Sequence, residues 1–249
     1  MPSLKTCAAA AVAAAMFAAQ SPAAANDLFD KPLKTVRVAL PKDPDNPQAK
    51  PALTCAVYPH FMVKQIDLGE IGADQLSILP YAGAQPACVK KNAPGEKVVS
   101  ADDWTGYFEG VKGDYVVFDA EDGWNDGLGF AVFNPSAKKL FDDVQKKWQG
   151  VAASPSALTL HYERVYGAKC SLLSGNSCWS QIMKDTGLTG TAPDCAAAYH
   201  AEQKRTPQFA SQVLTDPTII DYEVSVTIDG SGHRIAPVTG KALRCRPAE

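Results

Sequence analysis

Many signatures that assign a chain to a functional class are missing from these 249 residues. There is no Gly-x-x-x-x-Gly-Lys-Ser/Thr loop and no Gly-x-Gly-x-x-Gly turn, so the backbone cradles that hold nucleotide phosphates are not written here. No Cys-x-x-Cys pair occurs, which removes the short thiolate spacing of most zinc sites. The four histidines, His60, His161, His200 and His233, fall into no His-x-x-x-His or His-Glu-x-x-His pattern. Gly230-Ser231-Gly232-His233 brings a serine near a histidine, but without the Gly-x-Ser-x-Gly elbow that exposes a nucleophile. No basic stripe exists and the net charge is −3, so nucleic acid and anionic membrane surfaces are poor partners. Beyond the first two dozen residues, no apolar run approaches the roughly 20 residues that cross a bilayer. The expectation is therefore a chain with no cofactor, no metal centre, no membrane span and no nucleic-acid partner.

What is present begins at the N-terminus. Lys5 precedes an apolar run from Cys7 to Ala19, followed by Gln20-Ser21-Pro22 and the small residues Ala23-Ala24-Ala25. A basic start, a short apolar stretch and a small-x-small end are the three parts of a secretory signal peptide, here residues 1–25 with cleavage before Asn26. Loss of Lys5 with that leader takes the net charge to −4. Seven cysteines become six once Cys7 leaves: Cys55, Cys88, Cys170, Cys178, Cys195 and Cys245. An even number in an oxidising compartment reads as three disulfides, and the pairing favoured among fifteen is 55–88, 170–178 and 195–245. The chain is thus expected in the periplasm or secreted.

Residues 26–51 are dense in proline (Pro32, Pro41, Pro44, Pro47, Pro51) and read as an extended, solvated lead-in, with a strand only at 35–40. From residue 52 to 249 the sequence reads as one domain of short runs rich in β-branched and aromatic residues, punctuated by turns. Strands are expected at 53–58, 61–68, 75–79, 106–111, 114–119, 129–133, 158–165, 222–228, 232–237 and 242–246. Residues 138–148 carry Leu140, Phe141, Val144 and Trp148 at helical spacing, so a strand passing into a helical turn is expected there. Two helices are expected in one block: 176–185, capped by Asn176 and ended by Gly187, and 194–205, capped by Asp194 and stopped by Thr206-Pro207. A loose repeat links 117–140 with 228–243, both reading as strand, Asp-led turn, strand and Lys-bearing turn. The fold class is mainly β: an antiparallel meander, sandwich or propeller-like, with a two-helix insertion near 176–205.

The candidate site is the polar segment between two expected strands, with Asp119, Glu121, Asp122, Trp124, Asn125 and Asp126. Carboxylates and an amide on a glycine-bent loop suit a hard cation such as calcium, although the EF-hand order is absent. Trp124, Trp104 or Tyr107 could stack a sugar ring while the acids take its hydroxyls. Two acids about 5 to 10 Å apart could also hydrolyse a glycosidic bond. The plainest alternative is a solvated hairpin whose tryptophan folds back on the sheet. The functional expectation is a non-enzymatic binding or envelope-associated module whose partner is a small molecule, a glycan or an envelope protein. The alternatives are a hydrolase of cell-envelope carbohydrate and a calcium-stabilised structural domain.

Overall fold

The computed structural model describes residues 28–175 and 177–249. The expected leader, 1–25, and the expected cap Asn176 lie outside the described residues. Among the described residues the fold is mainly β, in two antiparallel sheets with three short helices and no closed barrel.

The first sheet is a five-strand meander: β1 (Lys34–Ala39), β2 (Ala52–Val57), β3 (Phe61–Asp67), β4 (Gln75–Pro80) and the short β5 (Lys97–Val98). The proline-rich stretch therefore contributes a sheet edge, since β1 pairs along β2 from Lys34↔Val57 to Ala39↔Ala52. The second sheet runs β6 (Tyr107–Lys112), β7 (Tyr115–Trp124), β8 (Gly127–Phe133), β9 (Lys139–Ser154), β10 (Ala157–Gly167), β11 (Thr218–Asp229) and β12 (Gly232–Pro237). A last strand, β13 (Arg244–Pro247), pairs with the first residues of β11, beyond the stretch that β12 occupies. That return to β11 separates the second sequence copy from the first, in which three strands pair in succession.

These strands stack in layers because their apolar residues alternate between two cores. On the first sheet Ala56, Phe61, Val63, Leu76 and Ile78 face Val111, Val116, Phe118, Ala131 and Phe133 of β6–β8. The intervening residues of β7 and β8, namely Val117, Phe130 and Val132, join Phe141, Leu158, Leu160, Tyr162 and the β11 residues Val224, Val226 and Ile228. Strands β7 and β8 are thus covered on both faces. This accounts for the unbroken runs Val116-Val117-Phe118 and Phe130-Ala131-Val132-Phe133, which no half-exposed strand would need.

The second sheet folds back on itself at β9. The first half of β9 pairs with β8 (Lys139↔Phe133 to Gln145↔Leu128), and the second half with β10 (Gln145↔Arg164 to Ser154↔Ala157). Between β9 and β10 the register shifts twice, leaving Lys146 and Gln149 as extra residues. A bulge bends a strand and adds twist, and strands that switch sheets at such bends make the corners of sandwiches. This corrects the expected helical turn within 138–148: from Lys139 onward the segment is strand. The inserted Lys146 moves Trp148 back onto the face of Phe141, so a bulged strand imitates helical spacing at those two positions.

The two expected helices are present as α1 (Cys178–Thr186) and α2 (Ala196–Arg205), and a short α3 (Ala210–Val213) follows that was not expected. Gly187 ends α1 in the left-handed region (φ 74°), its amide bonded to the Met183 carbonyl. Asp194 Oδ1 accepts the Ala196 amide at 3.0 Å, satisfying one free donor at the start of α2. Ile182 closes the core between the β-layers, and Tyr199 with Val213 and Cys195 forms a small core of its own. The six cysteines pair as 55–88, 170–178 and 195–245. The first pins the 81–96 crossing to β2, the second joins the start of α1 to the segment that follows β10, and the third ties the start of α2 to β13.

Candidate functional site

The acidic segment is not a loop. Asn125 and Asp126 both take left-handed backbone conformations (φ 49° and 57°) between Trp124 and Gly127, which pair across the turn. Two such residues make the hairpin turn whose twist matches that of its strands, so β7 and β8 extend to the tip. The signal was the triplet Asn125-Asp126-Gly127, and the expected strand ends at Asp119 and Gly129 are corrected accordingly. Register slips between Asp119 and Gly123, where Ala120, Glu121 and Asp122 bulge outward.

The six expected site residues consequently diverge. Trp124, about half exposed, lays its ring against Gly167 so closely that a Cβ there would collide with it. Asn125 is buried: its Oδ1 accepts the Glu249 amide at 2.8 Å and its carbonyl accepts a bond from Arg246 Nη2. Asp126 lies within 4 Å of both Lys146 and Arg246, which also bind the buried Asp221 at 3.2 and 2.5 Å. These residues clasp the C-terminal strand. Glu121 and Asp122 instead border a shallow depression of about 300 Å³ shared with Asp102, Asp103 and Trp104. Trp104 is held by its core contacts and by an Nε1 bond to the Asp119 carbonyl at 3.2 Å. Tyr107 accepts the Gly72 amide at 2.7 Å, which fixes its hydroxyl to the first sheet.

Asp119 stands apart again. Burial, reinforced by the charge and a hydrogen bond of Glu109, raises its carboxyl from the usual 3.8 to about 8. Its Oδ1 is buried without a partner among the described residues. Two carboxyls sharing one proton suit acid–base chemistry when substrate can reach them. The adjoining depression, however, is lined by Ala120, Glu121 and Asp122 and by neither Asp119 nor Glu109. Among the described residues no group of three or more His, Cys, Asp or Glu is arranged to hold a metal ion.

A larger concavity forms where the folded sheet brings hairpin ends together. The β6–β7 turn (Gly113, Asp114), the β8–β9 turn (Asn134, Pro135), the β9–β10 turn (Ser154, Pro155) and the β11–β12 turn (Asp229, Gly230) surround a cavity of about 480 Å³. Tyr115, Leu140 and Ala153 complete its wall, and the first two also pack against the main core. Most of its polar groups are occupied in holding the turns. Asn134 Oδ1 accepts the amides of Ser136 and Lys138, each at 3.0 Å. Asp229 Oδ1 accepts the Ser231 amide at 2.7 Å and its hydroxyl at 2.5 Å. Those bonds hold Asp229 below its usual carboxylate range. Burial raises the Tyr115 phenol, and the charges of Asp114 and Asp229 raise it further. Residues scattered over four turns leave no linear motif, so nothing in the sequence pointed to this cavity.

A second concavity of about 360 Å³ lies on the other side of the Gly113-Asp114 turn, lined by Asp30, Leu33, Tyr58 and His60. Comparison with protein-family models, with curated proteins and with solved structures finds no match for this chain.

Proposed function

We propose that the chain is an exported, non-enzymatic binding module that takes a compact organic cation with an apolar body into the four-turn cavity. The observation that supports this reading is that Asp114, Asp229 and Tyr115 line one concavity together with apolar residues such as Leu140 and Ala153. Ligand sites are mostly apolar concavities with a few well-placed polar groups, and a volume of several hundred cubic ångströms suits a small molecule. A cation over a tyrosine face gains from the ring quadrupole, and two carboxylates add Coulombic attraction. Turns stiffened by their own hydrogen bonds lose little freedom on binding. Export is supported by the leader-like N-terminus and by the three disulfides, which persist in oxidising compartments.

The test is a titration of the isotope-labelled chain with phenethylammonium and with neutral phenethyl alcohol. The reading predicts saturable shifts at Tyr115, Leu140, Ala153 and Asp229 for the cation, with binding at least threefold weaker for the alcohol. Asp114→Asn should weaken the cation by about 1.5- to fivefold, the scale of one solvent-facing charge pair. Equal affinity for the two probes, or shifts confined to other regions, would remove the proposal.

A further inference from the structure

Strand β1 is an open sheet edge with features of a docking site. Its partner β2 covers one side only, and no described strand lies on the other. The Leu40 amide bonds the Pro51 carbonyl at 2.9 Å, and with the observed register this directs alternate backbone groups of β1 towards β2. The N–H and C=O groups of Thr35, Arg37 and Ala39 therefore point outward, and no partner for them occurs among the described residues. The strand is exposed along its length apart from Val36, which is held in the first sheet's outer core.

A pocket of about 470 Å³ opens at the C-terminal end of this edge. Ala39, Leu40, Pro51 and Ala52 give it an apolar floor, and Arg37, Lys42 and Lys50 surround it. Lys42 is tied to the Pro47 carbonyl at 2.8 Å, whereas Lys34, Arg37 and Lys50 make no ion pair among the described residues. Of the nearby acids, Asp43 accepts the Asp45 amide at 2.9 Å and Asp67 accepts the Gly69 amide at 2.8 Å, each serving its own turn.

We propose that β1 accepts an extended acidic peptide segment of a partner protein as a sixth strand. Backbone groups at Thr35, Arg37 and Ala39 supply the ladder, Arg37 and Lys50 bind carboxylates, and one apolar side chain of the peptide enters the pocket. Strand addition of this kind takes affinity from main-chain bonds and specificity from pockets for alternate side chains. The charge of the edge selects the occupant. A second copy in the antiparallel register that uses all three outward residues would set Arg37 against Arg37, and like charges directly opposite are unfavourable. An acidic strand reverses that sign.

The experiment uses the full chain and three seven-residue peptides of identical apolar residues alternating with glutamate, glutamine or lysine. Hydrogen exchange at Thr35, Arg37 and Ala39 is followed together with affinity. The glutamate peptide should protect those three amides and bind at least tenfold more tightly than the glutamine peptide. Arg37→Glu with Lys50→Glu should abolish that preference. Thr35→Pro should weaken binding at least tenfold while leaving the melting temperature nearly unchanged, because its lost N–H is one that β2 does not use. Three results would overturn the proposal: no protection at β1 at millimolar peptide, equal binding of the lysine peptide, or protection that appears without peptide as protein concentration rises. The last would identify a second copy as the occupant.

Discussion

Two buried polar groups set the sharpest expectations at the scale of single residues. Lys64 lies on β3 directly opposite Cys55 and is 1% exposed, and its ammonium meets Glu96, whose side chain is 0% exposed, at 2.8 Å. Ser77 Oγ and the Ala93 amide also donate to that carboxylate, at 2.6 and 2.8 Å. Burial alone would raise the Glu96 carboxyl, but these bonds and the Lys64 charge hold it below its usual value. Removing one partner strands a buried charge, whereas an apolar pair of similar shape leaves none. Lys64→Met should therefore cost about 3–5 kcal/mol in a urea titration. Adding Glu96→Leu to it should restore only part of that loss, because Ser77 Oγ and the Ala93 amide then lose their acceptor. Asp119 behaves oppositely with pH. Its carboxyl is protonated in both states below about pH 4, and between pH 4 and about pH 8 the unfolded chain releases a proton that the folded chain keeps. The folded state then binds more protons, so this group removes stability as pH rises through that window, by at most about 1.4 kcal/mol per pH unit before solvent screening reduces it. Asp119→Asn should raise the melting temperature at pH 8, change it little at pH 4, and flatten the profile between.

At the scale of elements, much of the fold could be read from the chain. Alternation at Leu158, Leu160 and Tyr162 gives β10 its core face, and Gly187 and Thr206-Pro207 give the helix ends. What the sequence hid has physical causes. One inserted residue on β9, Lys146, returns Trp148 to the face of Phe141, seven positions apart as in two helical turns, while Val144 falls on the opposite face. The acids at 119–126 read as a loop because a bulge and a left-handed turn are both built from polar residues. Asp143, Arg164, Tyr162 and Tyr222 gave no linear signal, being spread over three strands. In the fold Tyr162 donates to Asp143 at 2.5 Å, and Arg164 bonds Asp143 and the Tyr222 hydroxyl at 3.0 and 2.9 Å. The hairpin tip provides a test of its own. Asn125→Gly keeps a backbone suited to φ 49° but loses the bond to Glu249, whereas Asn125→Ala also meets the left-handed penalty of about 1–2 kcal/mol. Chemical denaturation should therefore rank alanine below glycine, and an inverted order would contradict the turn assignment.

For the whole molecule, the three layers make the disulfides staples rather than substitutes for a core. The 195–245 bridge closes 50 residues and fastens α2 to β13, while 170–178 closes only 8. Replacing both cysteines of the longer bridge by alanine should cost about 3–4 kcal/mol, and the shorter somewhat less. Loosening of the helical block should precede global unfolding in hydrogen exchange. The cavity between four hairpin turns exists only because β9 folds one half of the second sheet over the other, so architecture and proposed function meet there. The most direct measurement is the titration of labelled chain with phenethylammonium beside an Ala153→Phe variant, whose ring would fill that cavity from the exposed β9 terminus. Saturable shifts at Tyr115, Leu140 and Asp229 that vanish in a folded Ala153→Phe protein are the predicted result. Unchanged binding in that variant would contradict the account.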